Sequence, residues 1–234
     1  MKLFLLGGSF ILCVNKDLCE YIENNIFPIY ENNDLGHNLE HIKYVIMRSF
    51  KFADMIFNID YNMVYTIASY HDIGHYIDAK NHEKISGDIL FNDINLRNFF
   101  NYEQLIIMRD AIYDHRASLN GDPRSVYGKI VSSADRNVDI DILLKRTYSY
   151  CVSHSSNSSF NDIIVMSRNH LLDKFGLNGY AKEKMYFDDF EYDMFLNELC
   201  KLLLDENEFV KRYIFVNNID SKKLKLCKLG NVEF

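Results

Sequence analysis

His41, His71, Asp72, His82, His115 and Asp135 are ionisable side chains at positions where a helix pattern expects core residues. His41 shares a helical face with Val45, Ser49, Phe52 and Ile56. His71 follows Val64, Ile67 and Ala68, with Asp72 beside it. His82 precedes Ile85 and Ile89, His115 ends the stripe Leu105, Met108 and Ile112, and Asp135 lies between Val131 and the pair Val138 and Ile142. A single inward histidine is usually a core residue bonded to a carbonyl. Two aspartates and four histidines converging on one point are another matter. An unpaired buried carboxylate costs several kcal/mol even after relaxation, so the cluster calls for a cation. Imidazole and carboxylate without thiolate suit Mn, Fe, Co, Ni or Zn, with Mg the hard extreme, as one or two ions. A divalent ion there would activate water near neutral pH.

Further residues are tethered close to these six. His37 lies four before His41 and His75 four after His71, so each can face the same way as its neighbour. His37 is expected to contact substrate or cap the helix; His75 would act as acid or base, or line the cleft. Glu83 follows His82 and Asp114 precedes His115, and either would serve as general acid or hold a ligand in place. Arg116 and Arg136 directly follow His115 and Asp135, with Lys80, Lys84 and Arg124 nearby. Guanidinium groups suit bidentate binding of anionic oxygens, so Arg116, Arg136, Lys80 and Arg124, with His37, are the expected contacts for a negatively charged substrate.

The elements that must position these groups are helices. The 3.6-residue period predicts helices over 38–57, 61–72, 82–92 and 102–115, and one long helix over 125–148 after Gly121-Asp122-Pro123. Only two prolines interrupt the chain, and no alternating strand pair is evident in this half. A Ser/Asn run at 153–159 precedes further helices over 160–175, 189–204 and 206–216. The fold class is therefore all-α, a bundle of five or more core helices with a C-terminal helical extension. The expected division is an N-terminal segment 1–33, a metal-binding domain 34–150 and an extension 151–234 packed on the same domain.

Bulk composition narrows the function. Apolar residues make up 48% of the 234, enough for a sizeable core, and the net charge of −7 opposes a broad face for duplex nucleic acid. A small anionic substrate stays compatible, because a few local cations outvote the global sign within a Debye length. The five cysteines are odd in number and lack CxxC spacing, which fits a reducing, cytoplasmic setting without a disulfide framework. Leu3 to Val14 form an apolar run too short to span a bilayer, and no small-x-small cleavage site follows. The run is read as an element packed on the domain rather than a signal or anchor.

The segment "ASYHDIGH" resembles the signature of the HD superfamily of metal-dependent phosphohydrolases, whose pattern is a histidine, a His-Asp doublet on the next helix and a distant aspartate. "GHNLEHIKYV" is similar to that family's first helix, placing its ligand at His41 rather than His37, and "KIVSSADRNVD" to the last, with Asp135. The resemblance covers roughly 34–148. It implies a helical bundle and a metal held by His41, His71, Asp72 and Asp135. "NHEKISGDIL" and "AIYDHRAS" are similar to segments of two-metal branches such as the HD-GYP phosphodiesterases, which implies a second ion on His82 and His115 with Asp72 as bridge. Arg116 stands where that branch has a second histidine, and its Gly-Tyr-Pro element is missing, so a cyclic dinucleotide is not the expected substrate. The resemblance implies hydrolysis of a phosphoester or phosphoanhydride, expected on a nucleotide or related small phosphorylated metabolite. Its alternatives are a non-catalytic metal- or ligand-binding module and a di-iron oxygenase.

Overall fold

The computed structural model describes residues 14–34, 36–155, 158–176, 178–182 and 184–219. The apolar run up to Cys13 and the basic tail beyond Ile219 lie outside them. Among the described residues there are ten α-helices and no strand. They fall into two compact units, one ending at Arg136 and including 185–187, the other holding 137–184 and the residues after 187.

In the first unit, α1 (Lys16–Asn25) and a 3-10 turn (Phe27–Asn32) precede α2 (Leu39–Ala53), α3 (Tyr61–Tyr70) and α4 (His82–Asn92). A second 3-10 turn (Ile94–Asn98) leads into α5 (Tyr102–Tyr113) and α6 (Val126–Ala134). α3 is the hub: every side chain from Met63 to Tyr70 is buried, while α2 and α5 each bury one stripe. A helix surrounded by others has no polar face to spare, which is why MVYTIASY carries no charge. Local chemistry sets the starts. Asn15, Asn38, Asp60, Asn101 and Ser125 each accept backbone N–H bonds at an N-cap, contributing about 1 kcal/mol apiece.

α1 was not expected from the sequence. Its Leu18, Ile22 and Ile26 repeat every four residues and enter the same core as Tyr30 and Ile67. The segment 185–187 joins this unit by a different route: Phe187 stacks on Phe52 at 5.1 Å, and the Tyr186 N–H donates to Ser133 Oγ at 3.1 Å.

The long helix expected over 125–148 is broken. α6 ends at Ala134 with Asp135 as its C-cap, and α7 (Ile140–His154) starts afresh. Asp139 causes the restart: its side chain accepts the Ile142 N–H at 2.9 Å, and Asn137 bonds both the Asp139 N–H and its carbonyl. The expected stripe through Ile142 therefore fails; that side chain is exposed, and α7 buries Ile140, Leu143, Leu144, Thr147 and Cys151 instead. The first, second and fourth helices also end two to four residues earlier than their apolar periodicity suggests.

The second unit is a bundle of α7, α8 (Phe160–Phe175), α9 (Phe190–Leu204) and α10 (Glu206–Val216). Ser159 and Asp162 form a capping box on α8, and Asp205 caps α10. Its core joins Leu144, Ile164, Leu171, Phe195, Leu199, Phe209 and Tyr213. Tyr180 and Phe190 remain exposed.

Candidate metal centre

Helix ends, rather than helix middles, carry most of the cluster. His71 is the C-cap of α3, His115 follows the C-cap of α5, Asp135 is the C-cap of α6, and His82 opens α4. His41 sits in the first turn of α2, where its N–H bonds Asn38 Oδ1. The carbonyls left over at or beside a turn then do a second job. Nδ1 of His71 lies 2.8 Å from Ala68 O, Nδ1 of His82 2.9 Å from Ala79 O, and Nδ1 of His115 2.6 Å from Ile112 O. A carbonyl accepts only from an N–H, so each Nδ1 carries its proton. In the neutral ring Nε2 is then a bare lone pair, and all three Nε2 atoms face Asp72.

Asp72 sits at the centre, 2% exposed. Its Oδ2 is 3.4 Å from His41 Nε2 and 3.3 Å from His71 Nε2. Asp135 Oδ1 closes that group at 3.2 Å from His41 Nε2 and 4.0 Å from His71 Nε2. The other oxygen, Oδ1, is 3.2 Å from His82 Nε2 and 3.5 Å from His115 Nε2, and those two nitrogens are 3.3 Å apart. Ligands bound at 2.0–2.2 Å around a tetrahedral ion stand roughly 3.3 Å from one another. Apart from the 4.0 Å between His71 and Asp135, the distances in both groups are close to that spacing before any ion is placed. His41 Nε2, His71 Nε2 and Asp72 Oδ1 are buried without a hydrogen-bond partner. Lone pairs of imidazole and carboxylate brought together in this way fit a divalent cation.

The same crowding shifts the titrations. Burial drives the His71 imidazole down, but the Asp72 and Asp135 carboxylates outweigh it and hold its pKa up at about 9. Burial opposes ionisation of both aspartates too, yet His71, His115 and His41 keep Asp72, and His41 keeps Asp135, below the ordinary carboxylate range. His82 is raised, Asp72 overcoming its burial; His115, more deeply enclosed, is lowered by burial. Without metal, protons therefore supply part of the positive charge the carboxylates require.

The surroundings hold this geometry. Gly74 ends the His-Asp turn against α4: a Cβ there would lie 2.6 Å from Ile85 Cγ2, and its N–H donates to Ser86 Oγ at 2.9 Å. Asn33 ties two segments together, its Nδ2 donating to the carbonyls of His37 and Asp72 and its Oδ1 accepting the Tyr76 N–H. His37 and His75 stand beside the cluster with rings stacked 3.7 Å apart.

The expected substrate cations divide. Arg116 borders the cluster, donating to Glu83 at 3.1 Å and to the Lys80 carbonyl at 2.7 Å, so Glu83 serves first as its anchor. The Lys80 side chain is exposed. Arg136 is turned inward, donating to the His115 carbonyl and Ser132 Oγ, and so braces the His115 segment. Arg124 is committed to Asp110 and Asp114, which also fixes Asp114 as an ion-pair partner. Adjacency in sequence brought these arginines near; the acceptors around them decided where they point. Asp34, Asn33 and Gly74 were missed in the sequence. Their only signal is the polar turn Asn33-Asp34 before Gly36, and glycine after the doublet.

Residues 38–137 match the family model described as HD domain. No curated protein and no solved structure matches the chain. No helix among the described residues is long and apolar enough to cross a membrane.

Proposed function

We propose that this chain, whose residues 38–137 match the HD domain, a family made up largely of metal-dependent hydrolases, hydrolyses a phosphoester or phosphoanhydride bond. The substrate class is a nucleotide or a related small phosphorylated metabolite. One observation carries the reading: Asp72 presents one oxygen to His41 and His71 and the other to His82 and His115, each set at ligand spacing. His41, His71, Asp72 and Asp135 would hold one divalent ion, and Asp72, His82 and His115 a second. Ions bound there acidify water and neutralise phosphoryl charge.

The protein's own residues supply orientation. The Ala68, Ala79 and Ile112 carbonyls fix the tautomer and aim of three imidazoles. Arg116, held by Glu83, is the cation best placed to take a substrate oxygen beside His82. The test is phosphate or pyrophosphate release from a panel of nucleotides and phosphoesters with Mn²⁺, run beside Asp72→Ala. Turnover lost in the variant supports hydrolysis at this centre. A metal-loaded, folded wild type that releases nothing from any compound refutes it for these substrates.

A second reading draws on the same observation, because a carboxylate shared between two ligand groups also suits two irons. Two irons per chain with oxygen consumption and no phosphate release would favour the oxygenase.

A further inference from the structure

We propose that Asp34, His37 and His75 form a third divalent-cation site, separate in its ligands from the six-residue centre and open to solvent on one side. The three side chains each offer a ligand atom, and these atoms lie within 4.8 Å of one another. His37 Nδ1 is 2.8 Å from Asp34 Oδ1, and His75 Nδ1 is 3.9 Å from Asp34 Oδ2. The two rings are nearly parallel, 19° apart, with centroids at 3.7 Å. Two stacked imidazoles thus point the same ring nitrogen at the two oxygens of one carboxylate. A hydrogen bond explains the His37 contact alone. It does not explain why His75 turns its Nδ1 to the same carboxylate beyond hydrogen-bond reach. A cation seated between them, with His75 Nδ1 drawn in from 3.9 Å and His37 Nδ1 moved out from 2.8 Å toward the roughly 3.3 Å that separates ligands on one ion, satisfies both.

The backbone presents these ligands from two pinned turns. Asp34 Oδ1 also accepts the Gly36 N–H, and the His37 N–H bonds the Asp34 carbonyl. The His75 N–H bonds the Asp72 carbonyl, and Asn33 joins the two turns through the His37 and Asp72 carbonyls. The site therefore shares its scaffold with Asp72 while using none of its ligand atoms. It neighbours the centre, with the His75 and His82 rings 5.3 Å apart and the His37 and His41 rings 6.0 Å apart. Two nitrogens and one oxygen select borderline ions such as Zn²⁺, Co²⁺ or Mn²⁺ over Ca²⁺. The Asp34 side chain is 59% exposed, so this ion exchanges faster and binds more weakly than those beside the buried Asp72.

The experiment is Co²⁺ titration of the full chain, metal-stripped, followed by calorimetry and by metal analysis after dialysis. Wild type is compared with Asp34→Asn combined with His37→Gln, with His75→Gln, and with Asp72→Asn. The third site predicts that the first two variants each lose one equivalent, the weakest, and keep the rest. Asp72→Asn should lose tighter equivalents and keep the weakest, so failure at the main centre reads differently from failure here. Histidine-selective ¹⁵N NMR with Zn²⁺ gives a readout on the unaltered protein: the Nδ1 resonances of His37 and His75 should move together at the last equivalent. Identical stoichiometry in wild type and the Asp34 and His75 variants, with His37 and His75 unmoved by Zn²⁺, overturns the proposal.

Discussion

Metal affinity at the His41, His71, Asp72 and Asp135 group should rise steeply with pH, in proportion to the proton that His71 must give up. The metal-free protein holds the His71 pKa at about 9, because Asp72 and Asp135 outweigh the effect of burial. A ligating imidazole has to be neutral. Well below pH 9 each unit of pH therefore changes the neutral fraction tenfold, about 1.4 kcal/mol of binding free energy. Apparent affinity at pH 7 should be roughly 100-fold weaker than its limit above pH 9. His82 is raised as well, Asp72 outweighing its burial, so affinity at the second group should rise with pH in the same sense. Metal-free stability moves the other way. His71 binds its proton more tightly folded than unfolded, so its contribution is full below about pH 6.5 and fades as pH rises through about 9. The contribution is on the order of 3 kcal/mol for this fully buried group. Calorimetric titration with Zn²⁺ in buffers of different ionisation enthalpy counts the protons released. Release of at least one proton at pH 7, with affinity climbing toward pH 9, is expected. Affinity independent of pH, with no proton released, would show that His71 gives up no proton when the ion binds.

Asp72→Asn keeps the shape of the side chain but removes the charge shared by both ligand groups, so metal affinity should fall by at least about 100-fold, read by metal content after dialysis. Gly74→Ala should destabilise the protein by about 1–3 kcal/mol, because the new methyl meets Ile85 at 2.6 Å; chemical denaturation measures it, and an unchanged midpoint would show that α4 yields freely. Arg116→Ala should raise KM at least tenfold for the best phosphorylated substrate while leaving metal stoichiometry intact, as steady-state kinetics beside metal analysis would show.

Much of the helical frame was legible because apolar spacing and caps agree. α4, α8 and α10 run over the residues their periodicity predicts. What periodicity could not show is how a stripe stops. The apolar pattern carries on from Val131 to Ile142, yet Asp139 caps a new helix and leaves Ile142 in solvent. A local side-chain bond outweighed a continuous pattern there. The six clustered residues were readable as polar groups on buried faces. Their aim was not: it depends on carbonyls such as Ala68 O and Ile112 O, which no sequence pattern marks. Arg124 and Arg136, read as phosphate contacts, are found bonding Asp110, Asp114, Ser132 and the His115 carbonyl, partners that adjacency in sequence does not reveal. Asp34 read as a turn residue and became interesting only when His37 and His75 were found stacked beside it.

Anomalous diffraction from crystals grown with saturating Mn²⁺ would locate the ions themselves. A two-ion centre gives one anomalous peak among His41, His71, Asp72 and Asp135, and another among Asp72, His82 and His115. Their absence from a folded protein, with the Nε2 atoms of His41, His71, His82 and His115 engaged by other side chains or by water alone, would contradict it.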